Sequence, residues 1–118
     1  MESRRISEKQ VFRFMHLTDD VLADLLEAVK GKEGLEAPRV NPQYGAPEKY
    51  AVWDLEEGAD YRWIKDFVQM NGIDEDTYGV LISLVTEEES GKIRAPRFVI
   101  DLSREVGGVI DFSFTCVV

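Results

Sequence analysis

The sequence predicts an α+β fold: a two-layer domain in which an antiparallel meander of three to five strands packs against two helices. Three observations predict it. Two segments space their apolar residues with helical period, and three segments in the C-terminal third alternate with period two. A meander with one apolar face also needs cover, which two amphipathic helices can supply. At 118 residues, 44% apolar and 31% charged, the chain has the size and composition of one soluble globular domain spanning residues 1–118.

Residues 1–9 are left open to disorder. The segment Val11-Phe12-Arg13-Phe14-Met15-His16-Leu17 admits two readings. Ser7 with Gln10 can form a capping box that opens one long helix, with Val11, Met15, Leu22, Leu25 and Val29 on one stripe. Alternatively, residues 10–17 form a strand and the helix begins at Thr18, a good N-cap followed by Asp19 and Asp20 at the positive end of the dipole. Thr and two Asp are poor in a helix interior and good at its start, which favours the second reading. Val21, Leu22, Leu25, Leu26 and Val29 then repeat at helical spacing, and Gly31 is the stop.

Residues 32–49 hold Gly34, Pro38, Pro42, Gly45 and Pro47 without periodicity and read as a long Pro/Gly loop. Tyr50 to Leu55 reads as a short strand. From Asp60, the residues Ile64, Phe67, Val68 and Asn71, flanked by Trp63 and Met70, predict a second helix capped by Gly72 and latched by Ile73. Three strands follow, on Val80, Ile82 and Leu84; on Phe98, Ile100 and Leu102; and on Ile110, Phe112, Phe114 and Cys116. A three-residue loop, Val106-Gly107-Gly108, would pair Ile100 with Phe114 and Leu102 with Phe112, keeping one face apolar.

Charge is unevenly distributed. Residues 1–53 carry nine acids and eight bases, and residues 90–118 carry three acids and four bases. Between them, Asp54, Glu56, Glu57, Asp60, Asp66, Asp74, Glu75, Asp76, Glu87, Glu88 and Glu89 face only Arg62 and Lys65, so this stretch accounts for all of the net −9. Such a field repels nucleic acid and anionic membrane and steers cationic partners. No apolar run approaches the ~20 residues of a membrane span. Ser3-Arg4-Arg5 lacks the apolar region of an export signal, and the single Cys116 cannot form an internal disulfide. Both point to the cytoplasm.

Catalytic and metal chemistry find little support. His16 is the only histidine, and neither Cys116 nor any Ser lies in a nucleophile motif. On a strand, His16 would share a face with Phe12 and Phe14 as a half-buried structural residue. Asp74-Glu75-Asp76 matches a calcium loop at Gly79 but places Val85 where the closing Glu belongs, so it reads as a solvated loop. Glu87-Glu88-Glu89-Ser90-Gly91 reads as a hairpin loop. No cofactor is expected. Trp53, Tyr61 and Trp63 cluster beside carboxylates; Trp53 and one of the others belong in the core, and an exposed one fits an interface anchor.

The residues expected to bind a partner are therefore Asp54, Glu56, Glu57, Asp60, Tyr61, Trp63, Asp74, Glu75, Asp76, Glu87, Glu88 and Glu89. In general character the chain resembles bacterial immunity proteins, which neutralise toxins with basic clefts, or a phage-type inhibitor. No motif carries that resemblance. It implies a non-catalytic acidic protein that engages a basic protein partner, for instance a toxin nuclease domain. The alternative is a small-ligand or small enzymatic α+β module with a pocket between sheet and helices, lidded by the Pro/Gly loop.

Overall fold

The computed structural model describes residues 5–32, 34–42, 49–87 and 95–116. Five strands, β1 (Arg5–Leu17), β2 (Arg39–Pro42), β3 (Lys49–Asp54), β4 (Tyr78–Thr86) and β5 (Val109–Cys116), form one sheet in the order β2-β3-β1-β4-β5. Three α-helices among the described residues, α1 (Asp19–Val29), α2 (Trp63–Met70) and α3 (Arg97–Val106), cover one face of it. The fold is α+β in two layers, as the patterning predicts.

β1 is the central strand because it alternates. Phe12 and Phe14 are fully buried against the helices, while Val11 and Arg13 point to the open face. The core they build is aromatic. The Phe12 ring lies 5.5 Å from Phe14 and 5.5 Å from Trp53, and Phe14 lies 5.5 Å from Phe67 and 5.7 Å from Tyr78. Such pairs contribute roughly 0.5–1.5 kcal/mol each beyond their burial. Leu22 and Leu25 of α1 and Ile64 and Phe67 of α2 close the layer above them.

The helix ends follow their sequence signals. Thr18 caps α1, its Oγ1 accepting from the Val21 N–H at 3.4 Å. At the end of α2, the Ile73 N–H reaches the Val68 carbonyl at 3.1 Å and the Gly72 N–H reaches Gln69 at 3.3 Å. With Gly72 at φ +60°, this is a Schellman motif with Ile73 as its apolar latch.

Several expectations are corrected. Strand β1 starts at Arg5, so part of the segment left open to disorder is in the sheet. The 32–49 stretch is not all loop, because Arg39–Pro42 pairs with β3 as an edge strand; residues 33 and 43–48 lie outside the described residues. His16 does not share the core face. The register shifts between Phe14 and Leu17, and His16, at φ +59°, is turned out so that Leu17 takes the buried place.

The largest correction concerns residues 98–102, which are helix α3 rather than a strand. Val99, Leu102 and Val106 form its buried stripe, and Arg97 pairs with Asp101 one turn on at 3.4 Å. With the third strand gone, β5 cannot close a hairpin on it. It runs parallel to β4, from Gly79↔Val109 to Thr86↔Cys116, and α3 is the crossover that a parallel pair requires. The sheet is thus mixed, not a pure antiparallel meander. Gly107 ends α3, its N–H donating to Ser103 at 2.9 Å, so it is a helix cap rather than a hairpin turn.

Candidate partner-binding groove

β3 and β4 both run antiparallel to β1, so β1 serves as a ruler for the acidic stretch. Asp54 is level with Val11, the start of β4 with Phe14, and its end with Arg5. Nine steps of ~3.3 Å along β1 therefore separate Asp74, Glu75 and Asp76 from Glu87, a span of ~30 Å. Asp54 sits on the open face of the sheet and meets Arg39 at 3.3 Å. Asp60 meets Arg62 at 3.4 Å and also accepts from its backbone N–H at 3.1 Å. Glu56 and Glu57 are exposed after β3, and Asp74 caps the short 3-10 turn Glu75–Thr77 through the Asp76 N–H at 3.2 Å. Glu88 and Glu89 lie outside the described residues. Residues 54–87 thus present acids at both ends and on both faces of the sheet, and they do not meet in one patch.

What the fold does bring together is a groove between α1 and α2. It measures about 410 Å³ and has an apolar floor of Trp63, Phe67 and Ala28, with Met70 and Asn71 at its edge. Asp24 and Glu27 stand on the α1 side and Asp66 on the α2 side, with Lys32 at one end. Met70 is 85% exposed, unusual for so large an apolar side chain. Trp63 is held rigidly: its indole stacks on Trp53 at 6.1 Å, and its Nε1–H donates to the Asp60 carbonyl at 2.9 Å. Glu27 is tied to Lys30 at 3.1 Å, an exposed pair worth little in energy. The rim is negative and the floor is greasy.

Comparison with protein families, with curated proteins and with solved structures finds no match for this chain. The groove must therefore be interpreted from its own chemistry.

Of the residues expected to bind, only Trp63 among the described ones lines the groove. Tyr61 is the aromatic that goes into the core, 7% exposed, its hydroxyl accepting from the Glu56 N–H at 2.9 Å. Burial raises its hydroxyl above the ordinary value. The Glu56 N–H opposes that rise, and the Glu56 and Asp54 carboxylates add to it. Sequence reasoning missed Asp24, Glu27, Phe67 and Met70 as site residues. A signal was present, because Asp19, Asp20, Asp24 and Glu27 put four acids and no base on the eleven residues of α1. It was hidden because Lys and Arg elsewhere in residues 1–53 cancel those acids in the sum, though not in space.

Among the described residues, the aromatic core fills the space between β1, β3, β4 and the helices α1 and α2; residues 43–48 of the Pro/Gly loop lie outside the described residues. A separate cavity of about 590 Å³ opens beside the start of β2 and the end of β3, lined by Gly34 to Ala37, Arg39, Trp53, Asp54 and Glu56. Trp53 forms part of its wall, and its indole N–H has no acceptor among the described residues. No helix among the described residues is long and apolar enough to cross a membrane.

Proposed function

We propose that this chain is a non-catalytic binding protein that engages a basic protein partner through the α1–α2 groove. The observation that carries the reading is the pairing of an apolar surface, the half-buried Trp63 and exposed Met70 over the buried Phe67, with a carboxylate rim of Asp24, Glu27 and Asp66. A groove of this kind accepts an amphipathic helix or loop, its apolar side down and its lysines and arginines against the rim. Trp and Met are favoured at the centre of interfaces, and a rigid indole loses little freedom on binding. The net charge of −9 supports the choice of a cationic partner and argues against nucleic acid and anionic membrane.

Binding of this kind suits a cytoplasmic antagonist, in the manner of toxin-immunity or phage-type inhibitor proteins, in which occupancy silences the partner's own activity. The test uses a defined probe. An amphipathic helical peptide of lysine and leucine is titrated against the tryptophan fluorescence, beside the same peptide with glutamate for lysine. The reading expects saturable binding of the lysine peptide alone, lost in Trp63→Ala. Equal response to both peptides, or to neither, refutes it.

One observation favours a second reading, a small-ligand module at the cavity between the start of β2 and the end of β3. The indole N–H of Trp53, buried beside that cavity and without an acceptor among the described residues, would donate to a carbonyl or carboxylate of such a ligand. A thermal-shift screen of small carboxylates and amides decides it. Stabilisation of the native chain but not of Trp53→Phe supports this reading, and a flat screen removes it.

A further inference from the structure

The two edges of the sheet are built differently. β2 has four residues, carries Arg39 and ends in Pro42, the short, charged and proline-bearing design that discourages pairing with another chain. β5 has neither the shortness nor the proline, and its one charge, Asp111, is tied to Arg13. Its eight residues, Val-Ile-Asp-Phe-Ser-Phe-Thr-Cys, hold no Lys, Arg or Pro, and its ladder with β4 runs without a bulge. Its outer edge has no neighbouring strand among the described residues.

β5 also exposes the wrong side chains for a solvated edge. Ile110, Phe112 and Phe114 pair with Val80, Ile82 and Leu84, and so lie on the helix-covered face. Their partners are 1%, 0% and 1% exposed, whereas they are 40%, 57% and 40% exposed. Helix α3 packs against β4 and leaves this row in the open. The row is continuous with the core, yet uncovered.

We propose that β5 pairs antiparallel with β5 of a second copy of this chain, across a two-fold axis, to make one continuous sheet. The strand's self-complementary register selects that occupant, and its local charge permits it. An isologous contact requires a self-complementary strand, and the apolar row stays on one face only if the axis passes through a residue. An axis at Asp111 would oppose two carboxylates. An axis at Phe112 sets Phe112 against its mate, Ile110 against Phe114, and Asp111 against Ser113. An axis at Ser113 sets Phe112 against Phe114 and Asp111 against Thr115. Both registers are apolar on one face and free of like-charge pairs.

Local charge leaves the pairing unopposed. Two copies at net −9 repel over much of their surface, but the only charged side chain of β5, Asp111, is already paired with Arg13 of its own strand neighbourhood. On the adjacent helix, Arg97 and Arg104 balance Asp101 and Glu105. Area sets the strength. At roughly 200 Å² for a whole phenylalanine, the exposed parts of Phe112 and Phe114 supply roughly 200 Å² per copy, against about 800 Å² per partner in a standard interface. The strand edges supply backbone hydrogen bonds in addition, so the dimer is reversible and concentration-dependent. It is independent of the α1–α2 groove.

Sedimentation velocity across a wide concentration range tests the association. The mass is expected to move from 13.4 kDa toward twice that value. Phe112→Lys, at an exposed position, is expected to keep the circular dichroism and weaken association by about tenfold or more. The geometry is tested in a Cys116→Ser background. Phe112→Cys or Ser113→Cys should form an intermolecular disulfide on mild oxidation, because one of them lies on the axis within ~6 Å of its mate, whereas Ile110→Cys should not. A monomer at every concentration overturns the proposal. So does a dimer indifferent to Phe112→Lys, or cross-linking through Ile110→Cys alone.

Discussion

Tyr78 is 2% exposed, and its hydroxyl donates to the carbonyl of Val106 at 2.7 Å, tying the start of β4 to the end of α3. Burial, with a smaller contribution from the Glu75 carboxylate, raises this phenol above its ordinary 10.0. The folded state therefore holds the proton more tightly than the unfolded chain does. The stability this confers is complete below pH 10 and is lost as pH rises through the folded value; Tyr61 acts with the same sign. Tyr78→Phe removes the donor and leaves a buried carbonyl unpaired, at about 1–3 kcal/mol. Urea unfolding at neutral pH should show that loss, and a series taken above pH 10 should fall less steeply for the variant than for the native chain. A variant as stable as the native chain at neutral pH would mean that the Val106 contact carries no weight. His16 illustrates the opposite case. It is the residue most readily assigned a chemical role from sequence, yet it sits exposed at a left-handed bulge position whose effect is to hand the core site to Leu17.

Among the elements, Gly79 is where the parallel pairing is decided. At φ +151°, its missing Cβ leaves room for the Val109 backbone, and any side chain there would overlap the Val109 carbonyl. Gly79→Ala should cost ~2 kcal/mol or more and loosen β5 from β4. Hydrogen exchange would show this as faster exchange along residues 109–116 than in α1. Uniform destabilisation with β5 still protected would contradict it. The helices α1 and α2 were legible because cap, stripe and stop agree in each: Thr18 with Leu22, Leu25 and Val29, then Ile64, Phe67 and Val68 with Gly72. α3 was not, because Phe98, Ile100 and Leu102 alternate like a strand while Val99, Leu102 and Val106 also fit a helix, and β-branched and aromatic residues tipped the balance. Tertiary context chose the helix, since a parallel β5 needs a crossover. The groove was legible only in Trp63, because the acids of α1 and α2 that frame it are about forty residues apart and meet only once both helices lie on the same face.

For the whole molecule, the net charge matters through where it sits. Spread over two faces and partly paired by Arg39 and Arg62, the acids of residues 54–87 act as a diffuse field, whereas the groove rim acts at contact distance. Rim and floor should therefore separate kinetically. Asp24→Asn, Glu27→Gln and Asp66→Asn should slow association with a cationic partner and flatten its salt dependence, with dissociation little changed. Trp63→Ala or Met70→Ala should speed dissociation instead, by ~2 kcal/mol if either is an anchor. Stopped-flow fluorescence with the lysine–leucine peptide, at low and high salt, reads both rates. Steering over ~8 Å at physiological ionic strength should nearly vanish at ~1 M salt. The most direct measurement of the central claim is an amide and indole chemical-shift map of the isotope-labelled chain titrated with that same peptide. The account predicts shifts centred on Asp24, Glu27, Asp66, Phe67 and Met70, with the Trp63 indole among the largest. Shifts centred instead on Asp54 to Glu57 or on Asp74 to Asp76, with the groove silent, would contradict it.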